Sequence, residues 1–207
     1  MKTKIALLLI DIQNDYFKGG LNPLVRSSEA GLKAQVILQH FRLQCLPIIH
    51  IQHISTKQGA TFFLPNTKGA KIHENVAPLK EENVIIKHTP NSFHRTILDN
   101  LLRSQDITDL VICGMMTQMC VDATVRAAKD LGYNCIIIAD ACATKDLEFQ
   151  DQIIKAKDVH AAFLSSLNHY YSTIITTEEC INNLTSKEND ENDKFIYAHN
   201  CIFTPYF

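Results

Sequence analysis

Six apolar residues in succession, Ile5–Ile10, end abruptly at Asp11. An unbroken apolar run, too short for an ordinary helix, marks a strand covered on both faces in a parallel sheet. Comparable runs recur at Leu46–Ile51, Val84–Ile86, Leu110–Cys113, Cys135–Ala139 and Thr173–Thr176. Between them the apolar period lengthens. Leu32, Val36, Ile37 and Phe41 share one face of a predicted helix over Ala30–Leu43, and similar spacing predicts helices over Thr96–Leu102, Cys120–Leu131 and Asp151–Leu167. Strand and helix alternate, so the expected fold class is α/β: three layers, α/β/α, around a central, mainly parallel sheet.

Two stretches break the alternation. Ser55–Pro78 carries Gly59, Pro65, Gly69, Phe62, Phe63 and His73 without a period, and a connection this long in a compact domain is expected to be functional, here a lid or pocket wall. Ser186–Lys194 (SKENDENDK) predicts a solvated linker, and the aromatic Phe195–Phe207 predicts a segment that docks on this subunit or a neighbouring one. The chain therefore divides into one domain over 1–184 and a linker with an aromatic extension over 185–207.

Composition narrows the function classes. A chain of 207 residues, 46% hydrophobic, with a formal net charge of -2, suits a single globular domain and lacks the basic footprint of a nucleic-acid binder. No run approaches the roughly 20 apolar residues of a membrane span, and the first strand ends without a signal-peptide cleavage site. The expectation is an unexported, cytoplasmic protein with neither membrane nor nucleic acid as partner. Seven cysteines with no C-x-x-C pair argue against a disulfide framework or a zinc module. The glycine signatures of dinucleotide and phosphate loops and of serine hydrolases are absent.

In open parallel sheets, ligands bind beyond the carboxyl ends of the strands. Asp11, Lys87 and the segment Gly114–Cys120 each follow a predicted strand, so three strand ends are expected to converge on one crevice. Thr117 is placed to cap a helix whose first turn holds Cys120. Free N–H groups and the positive end of that helix would favour a thiolate there, as an attacking sulfur requires. A buried structural cysteine fits the same context. Asp11 and Lys87 taken singly also read as a turn former and a snorkelling lysine.

Together these residues resemble a known family. Leu7-Leu8-Leu9-Ile10-Asp11-Ile12-Gln13-Asn14-Asp15-Tyr16-Phe17 resembles the opening motif of isochorismatase-like cysteine hydrolases, which include nicotinamidases and N-carbamoylsarcosine amidases. Ile86-Lys87 through Ser92-Phe93 to Leu98 resembles their lysine motif, and Gly114-Met115-Met116-Thr117-Gln118-Met119-Cys120-Val121 their nucleophile motif, in the same order and spacing over roughly residues 4–184. The resemblance implies Asp11, Lys87 and Cys120 as catalytic triad, a cis Met115–Met116 bond, and an oxyanion hole of the Met116 and Cys120 backbone N–H groups. It also implies a homo-oligomer, dimer or tetramer. Gln13, Phe17, His53, Phe93 and Thr117 are the expected pocket residues.

The metal motif of the nicotinamidases, Asp-x-His, falls on Ile51-Gln52-His53, where the aspartate is missing. No metal and no cofactor is therefore expected, although His50, His53 and His73 are conceivable ligands, and the departure counts against nicotinamide as substrate. The expected activity is hydrolysis of a C–N bond in a small amide or ureide through a thioester. Two alternatives remain open at this stage: a vinyl-ether hydrolase, which would tolerate Cys120→Ala, and a binding protein without turnover.

Overall fold

The computed structural model describes residues 4–189. Its centre is a six-stranded sheet of β1 (Ile5–Ile10), β2 (Ile48–His53), β3 (Asn83–Lys87), β4 (Asp109–Met115), β5 (Asn134–Ala143) and β8 (Thr173–Ile175). The strand order is β3-β2-β1-β4-β5-β8, and every neighbouring pair is parallel. Side chains alternate across it. Leu7 and Leu9 face α1 (Ser27–Leu43) and α5 (Thr177–Asn189), while Ala6, Leu8 and Ile10 face α2 (Leu98–Ser104), α3 (Asp122–Asp130) and α4 (Ala156–Tyr170). Leu7, Leu8 and Ile10 are fully buried, and each such side chain contributes about 1.5–3 kcal/mol of burial. The three-layer architecture follows from that two-sided covering.

The strand order reverses between β1 and β4, the topological switch point at which the crevice of such a sheet opens. Gly114 lets the two strands close up there. It pairs with Ile10, its φ is +147°, and a Cβ would collide with the Ile10 carbonyl.

Several element boundaries differ from those predicted. Lys87 is the last residue of β3 rather than a residue beyond it. The helix expected from Asp151 begins at Ala156, because β6 (Leu147–Phe149) and β7 (Gln152–Ile154) form a small antiparallel hairpin. The expected linker from Ser186 is wrong through Asn189, where α5 continues. That helix is started by Asp140, which accepts hydrogen bonds from both the N–H and the hydroxyl of Thr177 (2.8 Å each). The remainder of the predicted linker and the aromatic extension lie outside the described residues. Among those described, no helix is long and apolar enough to cross a membrane.

The segment 55–78 is ordered by buried anchors. Phe63, Ala70 and Val76 are enclosed, and Gln13 pairs with Ile72 across an isolated antiparallel bridge. Asp15 holds it from below, accepting the Phe63 N–H (2.7 Å) and the Leu21 N–H (3.1 Å). Gly69 sits against that carboxylate where a Cβ would collide with it.

Candidate active site

The three strand ends meet. Asp11, immediately after β1, turns with φ +51°, and its side chain is fully buried. Lys87 at the end of β3 brings Nζ to 2.9 Å from Asp11 Oδ2, with both side chains at 0% exposure. The same ammonium donates to the Pro90 carbonyl (2.6 Å). The Asp11 carboxylate faces the Lys87 ammonium and the Cys120 side chain. No backbone or hydroxyl donor competes for its oxygens.

Cys120 lies beyond β4, across the cis Met115–Met116 bond. Asp11, His53 and Cys120 present ligand atoms that all lie within 4.8 Å of one another. His53 stands between the other two, with Nδ1 4.0 Å from Cys120 Sγ and 3.7 Å from Asp11 Oδ2.

The local helix differs from the expected one. Thr117–Val121 is a π turn that leads into α3, and Met116 occupies its N-cap position without a side-chain hydrogen bond. Thr117 is therefore not the cap; its buried hydroxyl donates to the Ala143 carbonyl (3.3 Å) and pairs with His160 Nδ1 (2.9 Å). The expected thiolate is also corrected. Burial pushes the Cys120 thiol well above 9.0, the negative charge of Asp11 adds to this, and adjacent Lys87 opposes it without prevailing. Burial is the largest cause and the Asp11 charge adds to it, both favouring the thiol over the thiolate.

Two further expected pocket residues make contacts within the protein. Gln13 clamps the end of β2 to the 55–78 segment, donating to the His53 and Ala70 carbonyls (2.9 and 2.7 Å) and accepting the His53 N–H (2.7 Å). Phe17 is buried and stacks on His73 with ring centres 3.6 Å apart. Phe93 is half-buried and stacks on Tyr133 at 5.8 Å. Of the five, His53 is seen beside the sulfur.

A histidine-rich ion site does not fit these residues. His50 Nε2 is paired with Glu82 (2.8 Å), and His73 Nδ1 accepts the Asn75 N–H. Neither converges with His53, and Lys87 already supplies the positive charge beside Asp11.

Tyr16 and Asp15 belong to the surroundings of the site and were missed. Both are quoted in the opening motif, but spacing alone gives no reason to separate them from Asn14 or Phe17. The Tyr16 ring packs on Phe63 (4.6 Å between centres) and Phe62 (5.8 Å), and Phe63 packs on His53 (5.7 Å). Elsewhere, a cavity of about 260 Å³ lies against α5, lined by apolar residues such as Ile5, Val111, Ile136 and Leu184. It contains none of this chemistry.

Comparison with known proteins places the chain among isochorismatase-domain proteins. The family model for the isochorismatase domain matches residues 5–179. The isochorismatase family protein YddQ of Bacillus subtilis is 50% identical over 173 residues, spanning 84% of this chain and 96% of its own. A crystal structure of an isochorismatase hydrolase from Oleispira antarctica superposes with a TM-score of 0.84 at 47% identity, covering 88% of this chain and 98% of that one. The nicotinamidase of Escherichia coli is 25% identical over 194 residues, 76% of this chain and 91% of its own.

Proposed function

The chain belongs to the isochorismatase family of hydrolases, and on that premise we propose that it hydrolyses the C–N bond of a small amide or ureide with Cys120 as nucleophile and Asp11 as base. The observation that carries the reading is the state of Asp11. It is buried, within 4.8 Å of the sulfur and paired with Lys87, and no backbone or hydroxyl donor competes for its oxygens. A base at rest needs a free lone pair aimed at the proton it will take.

The steps follow from the positions. Asp11 takes the Cys120 proton as the sulfur attacks the carbonyl carbon, and Lys87 keeps the carboxylate oriented while countering the charge of the sulfur. Backbone N–H groups of Met116 and Cys120 hold the oxyanion, a contact whose loss costs about 10²–10³-fold in rate. The amine departs with the proton from Asp11, leaving a thioester on Cys120. Water, deprotonated by the same carboxylate, then releases the acid and returns the thiol. Likeness to a nicotinamidase supports amide chemistry in general. The missing aspartate before His53 separates this chain from a metal-seated pyridine substrate.

Ammonia release from a panel of small amides and ureides, measured for wild type and Cys120→Ala in parallel, tests the proposal. Turnover confined to the wild type is the expected result. Undiminished turnover by Cys120→Ala would sink the thioester route and favour vinyl-ether-type protonation chemistry instead.

A further inference from the structure

Helix α5 does not fill the space it covers. Its residues Cys180, Asn183 and Leu184 stand over Ile5, Val111, Ile136 and Ile175, one each from β1, β4, β5 and β8, and the cavity of about 260 Å³ lies between them. An apolar cavity of about 150 Å³ accepts a benzene ring. This one has room for an aromatic side chain or two. It is open to solvent at its rim, since Ile5, Ile136, Ile175 and Leu184 are only partly buried.

Topology fixes where this rim lies. α5 follows β8 and runs back toward the start of β1, so it finishes at the end of the sheet away from Asp11. Cys45 stands at that same end, just ahead of β2: the Leu7 N–H donates to the Pro47 carbonyl, and Leu46 belongs to the apolar cluster on which Ile5 and Leu184 pack. Cys45 is disulfide-bonded. Cys113, Cys120, Cys135, Cys142 and Cys180 are free thiols. Of the seven cysteines in the chain, Cys201 is the one left to pair with it, and it belongs to the aromatic extension outside the described residues.

Composition and reach agree with that pairing. Phe195–Phe207 holds Phe195, Tyr197, Phe203, Tyr206 and Phe207, an apolar load that solvent disfavours. Leu184 is about 8 Å along the helix from Asn189, and the chain from 190 to 194 can span up to about 17 Å. The extension can therefore return to the cavity. A second apolar surface leads to the same cysteine. Leu32, Val36 and Leu43 share one face of α1 at 54%, 42% and 80% exposure, and α1 packs beside α5.

We propose that the aromatic extension Phe195–Phe207 docks back on α5, seats an aromatic side chain in the cavity, and is fastened to the start of β2 by a disulfide between Cys45 and Cys201. The two thiols give up two protons and two electrons to a low-molecular-weight disulfide such as oxidised glutathione, which departs as two thiols. The surface lies at the opposite end of the sheet from Cys120, and the inference stands apart from the hydrolase reading.

The test uses the full chain, incubated with oxidised glutathione, denatured without reductant, blocked with iodoacetamide and digested. A linked peptide pair containing Cys45 and Cys201, from protein whose unreduced mass is that of one chain, is the expected result. Cys45 or Cys201 found alkylated, joined to glutathione or paired elsewhere overturns the bond. A linked pair found in protein of doubled mass overturns docking within one chain and assigns the extension to a second copy. Seating in the cavity is read by hydrogen exchange in the wild type and in a full-length variant carrying Phe195→Ser, Tyr197→Ser, Phe203→Ser, Tyr206→Ser and Phe207→Ser. Amides of α5 should exchange about tenfold faster in the variant. Equal exchange in the two proteins overturns the seating. The peptide mapping needs the wild type alone, so it decides the bond whether or not the variant folds.

Discussion

Two buried carboxylates in this molecule have opposite surroundings. Glu82, 6% exposed at its side chain, is saturated: Arg42 donates to both oxygens (2.7 and 2.8 Å), Leu79 N–H to one (2.9 Å), and His50 Nε2 lies at 2.8 Å. Burial pushes its carboxyl up, but the hydrogen bonds from Arg42, Leu79 and His50 override this and hold it at about 2. Asp11 faces one ammonium and the Cys120 sulfur, and no backbone or guanidinium donor takes up its oxygens. The first carboxylate ties α1, β2 and the chain before β3 together, with both oxygens hydrogen-bonded. The second has lone pairs and a sulfur beside them. Saturation distinguishes a strut from a reagent, and each substitution below separates the two roles.

The largest effect is expected from Cys120→Ala, which should lower turnover by about 10⁴-fold or more while leaving the melting temperature within a few degrees. Asp11→Asn follows, with a loss of about 10²–10⁴-fold. In that variant the rate of Cys120 alkylation by iodoacetamide should rise at pH 8, since a charge that holds the thiol protonated has gone. In the wild type, alkylation should keep accelerating with pH beyond 9.0, because the thiol titrates above that value. A plateau near neutrality would mean a resting thiolate and a different partnership with Asp11.

Glu82→Gln should do the reverse, costing about 2–4 kcal/mol in chemical denaturation with kcat unchanged per folded molecule. A smaller cost, about 1–3 kcal/mol, is expected for Asp15→Ala, which strands the Phe63 and Leu21 N–H groups. The finest test is the acid limb of stability. His50 is lowered from 6.5, by burial above all, so the folded state resists its protonation and stability should begin to fall below about pH 6.5. Glu82 is depressed from 4.5 to about 2, so its contribution is complete above pH 4.5 and is lost between 4.5 and 2. Glu82→Gln should flatten that lower part in pH-dependent unfolding.

The same contrast explains what was legible in the sequence. β1 and the centre of β4 announce themselves because both faces are buried and the run is apolar, and a charge directly after such a run, as at Asp11, is conspicuous; Lys87 and Cys120 stand out by following apolar strands into the crevice. The hairpin β6–β7 was invisible because it buries little; Phe149 and Ile153 are 68% and 64% exposed, and no periodicity marks it. In α5 the residues from Ser186 to Asn189 are all polar or charged, which reads as linker. Glu82 meets Arg42 and His50 across forty and thirty-two residues, a separation no local pattern encodes. Thr117 and Gln13 sit where capping and pocket contacts are common, yet which backbone group each side chain meets depends on the π turn and on the bridge to Ile72. The thiol was misjudged for a related reason: a helix end can be seen in the sequence, whereas enclosure beside a carboxylate cannot.

The most direct test is the intact mass of the protein quenched in acid during turnover of an amide substrate. An added mass equal to the acyl group, located on the peptide that contains Cys120 and absent from Asp11→Asn and Cys120→Ala, is the predicted result. Ammonia released at the wild-type rate with no such adduct, or an adduct on another residue, would contradict it.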